Sequence, residues 1–149
     1  METNRGMVAA VSVSSRKGEK KSPVSSVVLV EEHGVRDDAH AGPGHRQVSL
    51  LASESIGKMR AKGLSVGPGD FAENITVEGF DLLQAKVGDR IRVGEALLEI
   101  SQIGKECHTR CAIYFQAGDC VMPREGVFAR VIRGGKVAPG DEVRKEEEP

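Results

Sequence analysis

Apolar and polar residues alternate with a period of two through much of this chain, a pattern that predicts short half-buried strands. Met7 to Val13 is the first such run, and Val24 to Val30, rich in β-branched residues, is the second. Gln47 to Leu51, Asn74 to Val77, Arg90 to Val93, Ala96 to Gln102 and Val127 to Ile132 also read as strands. Helical spacing is scarce. Ser53 stands where an N-cap belongs, Ile56 and Met59 follow three apart, and Lys62 and Gly63 supply a basic last turn and a stop. A second helical segment is expected to start after Cys107 and run toward Gly118. Ser15 to Ser22 is basic and hydrophilic and reads as an exposed loop, while Lys145 to Pro149 reads as a charged, frayed tail.

The dipeptide Gly-Asp recurs at Gly69-Asp70, Gly88-Asp89, Gly118-Asp119 and Gly140-Asp141. Two copies are close cousins, Val87-Gly88-Asp89-Arg90-Ile91-Arg92 and Pro139-Gly140-Asp141-Glu142-Val143-Arg144, each a turn that leads into alternation. Many short strands, frequent glycine turns and few helices predict a mainly β fold: a compact closed β-barrel with one or two accessory helices. The 149 residues suffice for one domain with its own core, expected from about Val8 to Val143, and no linker divides them.

A net charge of −1 gives no general electrostatic case for binding nucleic acid or a membrane. Four Phe, one Tyr and no Trp argue against the stacking platforms of single-strand binders. No apolar run approaches the roughly 18 residues of a membrane span, and Met1-Glu2-Thr3-Asn4-Arg5 lacks the pattern of a signal peptide. The cytoplasm, where thiols stay reduced, is the expected compartment.

That expectation gives weight to the cysteines. Cys107, Cys111 and Cys120 all fall within fourteen residues, with His108 among them and Arg110 beside Cys111. A neighbouring cation favours the thiolate, which is both a nucleophile and a soft metal ligand. Structural zinc is a competing use of the same cluster, but adjacent Cys-His ligands strain tetrahedral geometry, and the usual pair of knuckles is missing. Buried, inert thiols are the plainest alternative.

Three further stretches combine polar groups with pliable backbone. In Asp38-Ala39-His40-Ala41-Gly42-Pro43-Gly44-His45-Arg46, Gly42 and Gly44 allow main-chain N–H groups near an anion, and Arg46 offers a fork suited to phosphate. A solvated loop is an equal reading on composition. In the run Gly67 to Thr76, Asp70 and Asn74 are turn residues by default, or Asn74 offers a directional amide to a heterocycle. Arg124 and Arg130 are either surface charges or part of a positive pocket with Arg46 and Arg110. There is no Walker A loop, nucleophile elbow or dinucleotide fingerprint.

Taken in order, these runs resemble the MOSC domain, named for the C-terminal domain of molybdenum cofactor sulfurase. The resemblance is carried by Asp38 to Leu50, Gly69-Asp70-Phe71-Ala72-Glu73-Asn74-Ile75-Thr76, Ile103 to His108, and Gly118 to Ala129. It implies a β-rich barrel, binding of the molybdenum cofactor (molybdopterin), and a sulfur-carrier role through a cysteine. Its implied partners are a cysteine desulfurase upstream and a molybdoenzyme or reductase downstream. His40, Gly42, Gly44, His45, Arg46, Asp70, Asn74 and Arg124 are the implied cofactor-binding set. In larger relatives that reduce N-hydroxylated compounds, a cysteine in an Arg-Cys context ligates the metal, and Arg110-Cys111 matches it. Those relatives space their paired cysteines by two residues; here three separate Cys107 from Cys111, which leaves the choice between them open, with Cys120 third. A small molybdenum-dependent reductase and a zinc or thiol-binding module are the alternative functions. Pyridoxal phosphate belongs to the sulfurase's desulfurase domain, and none is expected in this chain.

Overall fold

The computed structural model describes residues 4–16, 20–39, 41–44, 46–104 and 125–146. Its strands are β1 (Arg5–Val13), β2 (Ser22–Val24), β3 (Val27–Val30), β4 (Gly34–Val35), β5 (Val48–Ala52), β6 (Ile75–Glu78), β7 (Arg90–Val93), β8 (Ala96–Ile103), β9 (Val127–Arg133), β10 (Gly135–Val137) and β11 (Glu142–Lys145). One α-helix, α1 (Ser53–Ala61), and a 3-10 turn at Leu82–Gln84 complete the described elements. The segment expected to be helical after Cys107 lies outside the described residues.

Seven strands close on themselves. The large sheet runs β11-β7-β8-β9-β5-β6-β1-β2, and β11 also pairs with β1, so the ring is complete and β2 hangs from its edge. Closure hides the strand edges that an open sheet would leave for aggregation. The two Gly-Asp cousins become β7 and β11, and they pair with each other, Val93 opposite Val143 and Arg92 opposite Arg144. Their shared alternation puts Ile91, Val93 and Val143 inside. A small second sheet, β10-β3-β4, lies beside the barrel.

All five residues of β5 are buried, because both of its faces are covered. Val48, Leu50 and Ala52 join the barrel core, whereas Leu51 points out to meet Ile56 and Met59 of α1 together with Phe71 and Phe128. The helix serves the topology as well. Strands β5 and β6 run parallel, so the chain must cross back between them, and α1 forms part of that crossover. It ends as its sequence predicts: Gly63, at φ +91°, donates to Arg60 O, and Leu64 N–H donates to Met59 O. This pair of bonds is a Schellman cap, and Leu64 packs on the second core beneath it.

Two expectations are corrected. Val24 to Val30 is not one strand, because the chain bends at Ser25 and changes sheets, leaving β2 on β1 and sending β3 to β10. Ser53 is not the N-cap: Ala52 occupies that position with no side-chain bond, since the helix starts directly from the last residue of β5.

Candidate functional site

The run that opens with Asp38 is tied down from inside the protein. Lys21 Nζ donates to both Asp38 carboxylate oxygens, at 2.8 and 3.0 Å, and to Ser14 Oγ at 3.1 Å. The Ser14 N–H also donates to Asp38, at 3.0 Å, and Ala39 N–H donates to Ser14 O. Neither side chain of the ion pair is exposed. Burial pushes the Asp38 carboxyl up, but Lys21, the Ser14 N–H and Asn74 outweigh it and hold the group below its ordinary value of 3.8. The basic loop expected to be exposed therefore contains a buried lysine. Sequence patterning missed it because the countercharge lies seventeen residues away.

Asp70 and Asn74 are both engaged by the fold. Asp70 accepts from Gly67 N–H at 2.9 Å, and its own N–H donates to Gly67 O. Asp89 does the same with Lys86, and Asp141 with Ala138. Gly69, Gly88 and Gly140 stand third in these turns at φ +89°, +98° and +93°, the left-handed region that such turns require. Asn74, 1% exposed, accepts from the N–H and hydroxyl of Ser49 and donates from Nδ2 to Ser12 O. It thus stitches β1 and β5 to the start of β6. Its neighbour Glu73, which sequence reasoning did not single out, is fully buried and accepts from Gly69 N–H, Phe71 N–H and the Thr76 hydroxyl. Burial raises its carboxyl above the ordinary range, and those three donors oppose the shift. Among the described buried side chains, Ser12 Oγ has no hydrogen-bond partner.

Arg46 is differently placed. It lies 5.3 Å over the Phe128 ring and donates from Nε to Gln102 Oε1 at 3.0 Å. Its two Nη groups have no partner among the described residues. Gln102 and Phe128 are cross-strand partners on β8 and β9. Just beyond them, Gly104 N–H donates to Gly126 O at 2.7 Å. Residues 105–124 join these two strands, so Arg46 stands at the roots of the stretch that carries all three cysteines.

The Gly42 N–H, expected near an anion, donates instead to His33 O at 2.7 Å, and Gly44 O accepts from Gln47. Arg130 faces Glu32 at 2.9 Å and Glu99 at 3.8 Å, which makes it a surface charge rather than a partner of Arg46. His40, His45, Cys107, Arg110, Cys111, Cys120 and Arg124 lie outside the described residues. Among those described, no group of three or more His, Cys, Asp or Glu could hold a metal. No described helix is long and apolar enough to cross a membrane.

The MOSC domain profile matches residues 37–144, well over half the chain, and the protein belongs to that family. The family is associated with molybdenum cofactor function. The YuaD protein of Bacillus subtilis has a similar structure, with a TM-score of 0.80 at 17% identity over 98% of this chain and 99% of that one. YiiM of Escherichia coli gives 0.68 at 22% identity over 97% and 71% of the two chains. YiiM of Geobacillus stearothermophilus gives 0.70 at 21% over 95% and 75%. At these identities the likeness extends to the fold alone. No curated protein matches the sequence.

Proposed function

We propose that this protein binds the molybdenum cofactor where the Asp38–Arg46 loop meets β8 and β9, and that a cysteine of the 105–124 stretch carries sulfur there. One observation supports this most directly: Arg46 is pinned by Phe128 and Gln102 while both its Nη groups remain without a partner among the described residues. A guanidinium held in this way suits a phosphate, which accepts two parallel N–H bonds, and so fits the pterin phosphate. Gly44, His40, His45 and Arg124 complete the proposed anion-binding set. Asp70 and Asn74 act through the scaffold, by fixing the turn and the strand junction next to it, and Gly42 shapes the loop. When bound, the cofactor supplies a metal that takes soft sulfur ligands.

Cys111 is the first choice for metal ligand or carrier, because Arg110 beside it favours the thiolate; Cys107 is the second. As a carrier, the Cys111 thiolate attacks the outer sulfur of a desulfurase persulfide. That S–S bond breaks, the desulfurase cysteine leaves as a thiolate, and Cys111 holds the transferred sulfur as its own persulfide. A molybdoenzyme or reductase would be the downstream client. Incubation with a cysteine desulfurase and free cysteine should add one sulfur to a single cysteine, located by peptide mass mapping. The gain should vanish in Cys111→Ala. A gain on none of the three thiols contradicts the carrier role, and a gain that persists on Cys107 moves the assignment there.

A further inference from the structure

Gln102 holds Arg46 with an amide, where a carboxylate would grip harder. Its Oε1 accepts from Arg46 Nε at 3.0 Å, and its Nε2 donates to Gly104 O at 2.9 Å. These two bonds fix which way the amide faces, because a flip would set donor against donor at Arg46 and acceptor against acceptor at Gly104. Gly104 is buried and is itself held by the bond from its N–H to Gly126 O. On the other side, Phe128 is only 7% exposed and packs with Leu51, Ile56, Met59 and Phe71, so the ring beneath the guanidinium is anchored in the second core. Arg46 is exposed, yet it rests on two fixed supports.

Other arginines of this protein are met by carboxylates. Arg5, Arg90, Arg92, Arg130 and Arg144 each have a glutamate oxygen at 3.5 Å or less. Glu99, three residues before Gln102 on β8, serves both Arg90 and Arg130. A carboxylate at position 102 would add Coulomb attraction to the bond with Arg46, but it would also cancel the charge. We propose that Gln102 is the positioning residue of Arg46: it aims the guanidinium with a neutral acceptor, and so leaves the full positive charge to an anionic ligand of the phosphate class. The inference rests on the proposed anion-binding role of Arg46. It adds that β8 sets the charge selection of the site, by placing an amide rather than a carboxylate where the arginine is held.

Inorganic phosphate serves as the probe on the full chain, and the Arg46 Nε resonance, assigned by its loss in Arg46→Ala, reports binding in an NMR titration. Wild type should show a saturable shift. Gln102→Met and Gln102→Glu both lose the donor to Gly104 O, but only Gln102→Glu keeps an acceptor for Arg46. A purely mechanical support therefore predicts that Gln102→Glu binds phosphate better than Gln102→Met. Charge selection predicts the reverse order. Lost aim should weaken phosphate binding about threefold in Gln102→Met, and the added negative charge should weaken it about tenfold or more in Gln102→Glu. Binding by folded Gln102→Glu that equals or exceeds that of Gln102→Met overturns the proposal, as does a wild-type Arg46 resonance that phosphate does not move. If the predicted order holds but wild type never carries molybdenum or pterin, the cofactor reading fails and the role of Gln102 at an anion site stands. If wild type carries both and Gln102→Glu carries as much, the role of Gln102 fails and the cofactor reading stands.

Discussion

Lys21 and Asp38 show how much a single position can decide. Removing one member of a wholly buried ion pair strands the other charge without water, a loss of about 3–5 kcal/mol. Asp38→Asn should therefore lose about that much stability in urea unfolding near neutral pH. The folded protein releases the Asp38 proton more readily than the unfolded chain does, so the carboxylate stabilises above its ordinary value of 3.8. That contribution disappears as pH falls through the lower folded value, and the gap between wild type and Asp38→Asn should narrow over the same acid range. A gap that widens on acidification would reverse the assigned direction. Ser12 offers the opposite case. Its hydroxyl is buried without a partner among the described residues, a burden of about 1–3 kcal/mol, so Ser12→Ala should leave stability unchanged or raise it by about 1 kcal/mol. A clear loss would reveal a partner for that hydroxyl. Neither residue was legible in the sequence, because pairing across the interior leaves no periodic trace. Asp70 was legible: as a turn residue it follows a glycine that requires the left-handed conformation.

At the scale of elements, local pattern was a good guide wherever one face met the core and the other met water. Strands β7 and β11 follow directly from their shared alternation. β5 was visible as a strand, but its burial on both faces was not, because the cover comes from α1 and Phe71 elsewhere in the chain. The break between β2 and β3 was hidden by an unbroken run of β-formers. Two glycines test these elements. Gly57 lies mid-helix with open space where a Cβ would stand, so Gly57→Ala should stabilise α1 by about 0.5–1 kcal/mol. Gly69 sits at φ +89°, and a Cβ there would collide with the Lys21 carbonyl. Gly69→Ala should cost at least about 2 kcal/mol, read as a lowered urea midpoint, through strain and displacement of Lys21. Equal stability of Gly69→Ala and wild type would mean that the turn does not press on Lys21.

For the whole molecule, the closed barrel brings together stretches far apart in sequence, and closure itself was expected from strand count and turns. The meeting of Arg46 with Gln102 and Phe128 was not, since only the β8–β9 register creates it. That meeting joins the loop rich in anion-binding groups to the roots of the cysteine-bearing stretch, and the proposed function depends on it. Replacing Arg46 removes a charge-assisted contact worth at least about 1.5–3 kcal/mol, so cofactor affinity should fall at least roughly tenfold to a hundredfold. The most direct test is molybdenum content, with pterin fluorescence after acid oxidation, on protein made in cofactor-competent cells. Wild type, Arg46→Ala and Cys111→Ala should be compared at equal folded concentration. Wild type should carry molybdenum and pterin together, and Arg46→Ala should lose most of both. Cys111→Ala should lose metal if that thiol is the ligand, and keep it if the thiol is only a carrier. Wild-type protein with neither molybdenum nor pterin would contradict the cofactor assignment.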